Sequence, residues 1–430
     1  MKVIFTVTSL LSSTALLLIG HGMQLTLLPL RGGSVGLSDF TIGISASCYF
    51  LGFVMGCIYI PAMIARVGHI RGFAVLAATM VSAVLCLDML DNWPAWMVLR
   101  FLTGAAICGL YTVIESWLNN QASAETRGQI LAIYTFIVLI AMAAGQFLIN
   151  VGPAETATPF TLAALFLALA IIPVGMTRRL APTPIEAKPA RFRLLYQKSR
   201  SAFAGALLSG LVVGSFWSLG AVFAQHYSET QMDVTWFMTA AIAGGDLLQY
   251  PIGWLSDRVD RRYVMLSLCV GGAATCVAVA MSTQQPWHLM TLFLFGAMVM
   301  PLYAISLATA ADVSATEEFV EIGTSVLMLN AIGAASAPLL LGQLMSFWED
   351  TALFWSFAAI CALFAVYLAW QTREARAVSV AEQTPFAAAA SEMAPASFEL
   401  DPRGPEHPED DPQHAAAPPE QVPSDPEEAS

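Results

Sequence analysis

The sequence predicts an all-α membrane protein, with twelve transmembrane helices in two pseudo-symmetric six-helix bundles. Three observations carry this expectation: a composition too apolar for water, twelve apolar windows of spanning length, and an internal repeat at one fixed offset. Hydrophobic residues make up 57% of the 430 positions and charged residues 12%, and the mean hydropathy is +0.66. A soluble domain carries about 25% charged residues, so this chain lacks the residues for a water-facing surface. The net charge of −12 is local. Residues 377–430 hold twelve of the 31 acids and one of the 19 bases, which leaves 18 bases against 19 acids elsewhere. No basic face offers itself to nucleic acid. All seven cysteines fall in apolar stretches with no CxxC pair and no Cys/His cluster. They read as small hydrophobes, and neither a metal nor a cofactor is expected.

The elements follow in order. A span needs about 20 apolar residues. The N-terminal run, one Lys and then apolar residues to Pro29, exceeds the ~7–15-residue core of a cleavable signal and reads as a retained first helix. Windows near 5–30, 40–64, 72–90, 95–118, 129–151 and 158–177 make one bundle, residues 1–177. Windows near 202–226, 234–255, 263–282, 288–311, 323–347 and 352–371 make the second, residues 202–372. RGGSVG, DNWP, VGPAET and STQQPW punctuate the breaks. In lipid every backbone polar group must be paired, so windows of this length are helices and not barrel strands. Residues 178–201 form a basic, Pro-containing linker that suits a flexible cytoplasmic connector, and residues 373–430 an acidic tail too poor in large apolar groups to offset its ordering entropy, hence disordered.

Lys and Arg in the loops set the orientation. Placing both termini in the cytoplasm puts Lys2, Arg66, Arg71, Arg127, Arg258, Arg261, Arg262, the seven bases of the linker, Arg373, Arg376 and Arg403 inside, and leaves only Arg31 outside. The expected location is the inner membrane, multi-pass.

A shift of 192 residues lays WMVLRFLTGAAICGLY on HLMTLFLFGAMVMPLY. Pro94 meets Pro286, Phe101 meets Phe293, Gly104 meets Gly296, and Tyr111 meets Tyr303. The same offset superposes Arg66 on Arg258 and Ala143 on Ala335. One offset holding across separate helices indicates duplication. An even number of helices per half predicts a pseudo-two-fold axis along the membrane normal, with a substrate path between the halves.

At this point residues 5–372 resemble the major facilitator superfamily. Its loop signature, roughly G-x-x-x-D-R-x-G-R-R, is kept in the second half as GWLSDRVDRR, matching Gly253, Asp257, Arg258, Arg261 and Arg262, with Asp260 where Gly is usual. The first-half copy, PAMIARVGHIR, keeps Arg66 and Gly68 but has Pro61 and Ala65 in place of Gly and Asp. Arg100 and Gly104 supply an R-x-x-x-G pattern. The ESW run, Gly145–Gln146 and LQYPIGWLSDR look most like the YcaD-like group of bacterial carriers. The resemblance implies alternating access, often proton-driven, and no particular substrate.

Charges inside spans mark the candidate site. Arg100, Gly104, Tyr111 and Glu115 form a stripe on the fourth helix, with Arg100 and Glu115 about 22 Å apart by helical rise. Glu115, Asp246 and Arg100 are the proton-coupling candidates, each set against a structural hydrogen bond. His21, Gln24, Tyr111, Gln146, Trp217, Gln249, Tyr303 and Asn330 are the cavity candidates, set against apolar packing or interhelical bonding. Arg66, Gly68, Arg127, Gly253, Asp257, Arg258, Arg261 and Arg262 form the cytoplasmic gate motif, in which Asp257 would latch onto the start of the fifth helix near Arg127.

No GxxxxGK[ST] loop is present, so ATP is not the expected fuel. No paired catalytic groups or HExxH argue for an enzyme. The expectation is a monomeric secondary carrier of a small organic solute in the lipid bilayer, proton-coupled, with export favoured by analogy. The alternatives are uptake of a sugar or organic acid, and a receptor or scaffold on the same fold.

Overall fold

The structure, a computed structural model, describes residues 2–90, 92–122, 126–176, 189–282, 287–374, 379–387, 394–401 and 403. Residues 178–188 of the linker, Pro286, Arg376 and the tail beyond Arg403 lie outside the described residues. The long helices are α1 (Lys2–Ser34), α2 (Asp39–Val67), α3 (His69–Met89), α4 (Trp93–Gln121), α5 (Arg127–Leu148) and α6 (Ala157–Gly175). The second half supplies α7 (Arg200–Tyr227), α8 (Gln231–Ser256), α9 (Arg261–Met281), α10 (His288–Ala311), α11 (Phe319–Phe347) and α12 (Ala352–Glu374). Among the described residues, eleven helices are long and apolar enough to cross a membrane. The remaining long one, α8, has 26 residues and carries Asp233 and Asp246.

Local chemistry sets the helix ends. The Ser38 hydroxyl accepts from the Thr41 amide, the Ser199 hydroxyl accepts from the Ala202 amide, and Thr230 and Asp233 form a reciprocal capping box. Gly68, at φ 84°, alone separates α2 from α3; that backbone conformation disfavours any side chain. Asp260, unusual at its motif position, caps α9 by accepting from the Arg262 amide at 3.0 Å. Pro301 breaks α10 between His288–Val299 and Leu302–Ala311, since it lacks a donor.

The duplication is visible in the packing. Helices α2 and α4, α1 and α5, and α3 and α6 pair in the first half, as α8 and α10, α7 and α11, and α9 and α12 do in the second. A Cβ on Gly104 would lie 1.9 Å from the Tyr49 carbonyl oxygen, and one on Gly296 would lie 1.8 Å from that of Ala241. Gly52 meets the Phe101 carbonyl oxygen as Gly244 meets that of Phe293, and Gly22 meets Met142 as Gly214 meets Ala334. Every one of these residues is 192 positions from its counterpart. Small residues permit this closeness where lipid supplies no hydrophobic drive between helices.

The halves pack through α2 on α11, α1 on α7, α2 on α7 and α5 on α8. The bonds joining those helices lie at the end away from the arginine loops. Ser346 Oγ accepts from the Phe40 amide at 3.3 Å, Asn150 Nδ2 donates to Thr235 Oγ1 at 2.8 Å, and Gln231 Nε2 donates to the Ile149 carbonyl at 2.7 Å.

Two expectations are corrected. The C-terminal part of the linker is pinned: Phe192–Lys198 is helical, Arg191 pairs with Glu321 at 3.0 Å, and Lys198 pairs with Glu318. Leu195 anchors it by full burial. The tail is not wholly disordered either, because its described pieces pack on the helices. Phe386 fills the space above Gly253, where a Cβ would lie 2.2 Å from its ring, and Phe398 sits over Gly323. Average composition hides two well-placed aromatic side chains.

Candidate functional site

Two adjoining narrow slots lie between the halves. The first, with about 20 Å³ of space that water could enter, is bounded by Leu25, Pro29, Ser45, Tyr49, Trp96, Arg100 and Trp217. The second, with about 30 Å³ of such space and nearer the arginine loops, is bounded by Phe50, Phe53, Tyr111, Val213, Trp217 and Asn330. Tyr49, Phe50 and Trp217 are common to both. The first half therefore supplies α1, α2 and α4, and the second α7 and α11.

Arg100 is 6% exposed, and its guanidinium carbon lies 4.4 Å from the centre of the Tyr49 ring. A charge within a span costs about 2.5–3.5 kcal/mol, and a cation–π contact returns about 0.5–2 kcal/mol. The ring therefore offsets part of the cost and not all of it. Behind Tyr49, its hydroxyl lies 3.2 Å from His21 Nε2. His21 Nδ1 and both amide atoms of Gln24 are buried without a hydrogen-bond partner among the described residues.

Of the cavity candidates, Tyr111, Trp217 and Asn330 line the slots. His21 stands one side chain behind them. Gln146 does not line either slot: it is fully buried, donates to the Gly22 carbonyl at 2.9 Å and accepts from Thr26, which ties α5 to α1. Its interhelical role follows from facing α1 within the first bundle. Gln24 and Gln249 line neither slot, and Tyr303 is buried in a separate apolar cluster with Phe319 and Phe398. Tyr49 and Phe50 were missed because neither carries a charge or motif within an apolar run. Packing opposite Arg100 singles them out.

Glu115 is fully buried. It accepts from the Tyr134 hydroxyl at 3.0 Å, and both its oxygens accept from the Ala394 amide at 3.1 Å. The tail turn Ser397–Leu400 packs against α4, α5 and α11 and so bridges the two halves near the arginine loops. Asp246 is half-buried, has no hydrogen-bond or ionic partner among the described residues, and lines neither slot.

The gate motif is assembled differently from the expectation. Asp257 pairs with Arg261 at 2.8 Å and accepts from the Phe386 amide at 3.0 and 3.1 Å; none of its bonds goes to Arg127. Arg261 also pairs with Asp312 at 2.9 Å and donates to the Thr384 carbonyl, while Thr384 donates to Asp312 from its amide and its hydroxyl, each at 2.9 Å. Burial pushes the Asp312 carboxyl above the usual carboxylate range, with Arg261 opposing. Arg258 lies 3.6 Å over the Trp254 ring, Arg262 pairs with Asp260 at 2.7 Å, and Arg66 is exposed. The carboxylate of Asp257 is thus taken up by its own bundle and the tail.

The chain matches the Major Facilitator Superfamily profile over residues 10–314 and 202–398. The MFS-type transporter YcaD of Escherichia fergusonii is 25% identical over 376 residues, covering 86% of this chain and 96% of that protein. Among solved structures, the nucleoside transporter NupG superposes with a TM-score of 0.74 at 12% identity, over 86% of this chain and 99% of NupG. A bacterial homologue of the human lysosomal transporter Spinster, in an inward-facing and occupied conformation, gives 0.69 at 13% identity over 88% and 98% of the two chains.

Proposed function

The chain belongs to the major facilitator superfamily and is a multi-pass membrane transporter, not an enzyme, and from that premise we propose a proton-coupled carrier that exports a small organic solute by alternating access. The observation that carries this reading is the position of the slots. They lie between two halves hydrogen-bonded together at one end, with a buried carboxylate, Glu115, toward the other. In this reading the arginine-rich end faces the cytoplasm of an inner membrane, and the conformation is closed to the outside. Solute would enter past Glu115 once the tail withdraws, reach the slots, and leave when α2–α11 and α5–α8 part. Rocking of one bundle against the other around a fixed site is the motion such a repeat permits.

Glu115 and Asp246 are the proton-handling groups in this scheme. Both are acids on matching helix pairs of the two halves, α2–α4 and α8–α10, and Asp246 has no hydrogen-bond or ionic partner among the described residues. The test is a proteoliposome assay of the full chain under an imposed pH gradient, reading internal pH while candidate solutes are added. Solute-dependent proton movement is expected, falling about tenfold or more in Glu115→Gln or Asp246→Asn. Proton movement indifferent to both substitutions would remove the coupling assignment.

A further inference from the structure

Beside any part in coupling, Arg100 borders the solute path without a counter-ion among the described residues. We propose that Arg100 is an anion subsite, so that the solute is an organic anion: a carboxylate, sulfonate or phosphate monoester on a flat apolar body. This rests on the carrier reading and deepens it. Arg100 is nine-tenths buried and lines the first slot. Its guanidinium makes no ion pair and no side-chain hydrogen bond among the described residues. The groups facing it are the Tyr49 ring at 4.4 Å, the Cys48 thiol and His21. None of them is a counter-ion. Glu115, on the same helix, is fifteen residues away, about 22 Å by helical rise, and is engaged by Tyr134 and Ala394.

A guanidinium presents five N–H donors in a planar fork, and a ring face leaves most of them unmatched. A carboxylate or phosphate matches two at once in parallel, which fixes both affinity and orientation. The remaining walls suit the other end of such a molecule. Tyr49, Phe50 and Trp217 bound both slots, so an aromatic or other flat body would extend from Arg100 toward Asn330. His21, whose Nδ1 is unmatched behind Tyr49, lies on the same side of the site.

The test uses the full-length protein in phosphatidylcholine nanodiscs, with 4-phenylbutyrate and 2-phenylethyl phosphate as anionic probes and 4-phenylbutanamide as the neutral match. The readout is intrinsic fluorescence, since Trp96 and Trp217 line the first slot. Saturable quenching is expected with at least one anion, about tenfold or more tighter than the amide. Arg100→Gln should erase that preference, and Arg100→Lys should keep only part of it. Equal binding of acid and amide, no saturable signal from either anion, or a preference surviving in Arg100→Gln would each overturn the proposal. The wild-type acid–amide comparison decides even if a variant fails to fold. A second arm replaces part of the lipid with phosphatidylglycerol. Displacement of the soluble probe would assign the subsite to a lipid headgroup and overturn the solute assignment. Flux of the bound anion is measured separately in proteoliposomes. Arg100-dependent binding without flux would refute the carrier reading and leave the subsite standing.

Discussion

Gly104 and Gly296 do the same work in the two halves, and the geometry says how much they tolerate. A Cβ at Gly296 would sit 1.8 Å from the Ala241 carbonyl oxygen, which cannot step aside without parting α8 from α10. Overpacking of this kind costs about 1–3 kcal/mol when side chains can yield, and a backbone carbonyl yields less. Gly296→Val is expected to melt well below wild type in detergent, or to lose monodisperse protein. Gly128→Ala, with nothing within 4 Å, is expected to match wild type. Equal melting of the two variants would refute the close crossing. The shared offset made this glycine pair legible in sequence. Gly253 and Gly323 were not legible in their present role, because the phenylalanines they admit come from more than 70 residues away.

At the scale of elements, the windows marked every long helix to within a few residues, since length and hydropathy alone decide whether a segment can span. Breaks inside helices were less visible: the π turn Gly210–Gly214 in α7 depends on how Gly210 and Gly214 meet α11. The loop after α8 is the instructive case. Its residues read in sequence as a cytoplasmic gate motif, and in the structure Asp257 bonds Arg261 and Phe386 instead of reaching α5. In the alternating scheme the α5 contact belongs to the opposite state, in which the halves close at the arginine-rich end. Asp257→Asn is then expected to slow transport about tenfold with protein levels unchanged, as a charged hydrogen-bond acceptor is lost from that state. Unchanged initial rates in proteoliposomes would discard the latch.

For the whole molecule, the decisive feature is the joint between halves. One end is held by α2–α11 and α5–α8, and the other is spanned by tail residues, with Ala394 on Glu115 and Phe398 against α11. A segment in that position must leave before solute can pass. Removing residues 377–430 is therefore expected to preserve transport and raise its initial rate about twofold or more, because a blocked fraction no longer lowers the competent population. Loss of all activity on truncation would favour the scaffold reading, with the tail as the working element.

By itself the sequence determined solvent, helix number, duplication and family. Each of these follows from hydropathy, length or local motif, and none needs to know what faces what. Only the tertiary structure decided that Gln146 ties helices together, that Tyr49 faces Arg100, and that the tail reaches Glu115. Those are contacts between segments far apart in the chain. Transfer into lipid fixes which residues enter helices, while packing between helices fixes which polar groups are left to meet a solute.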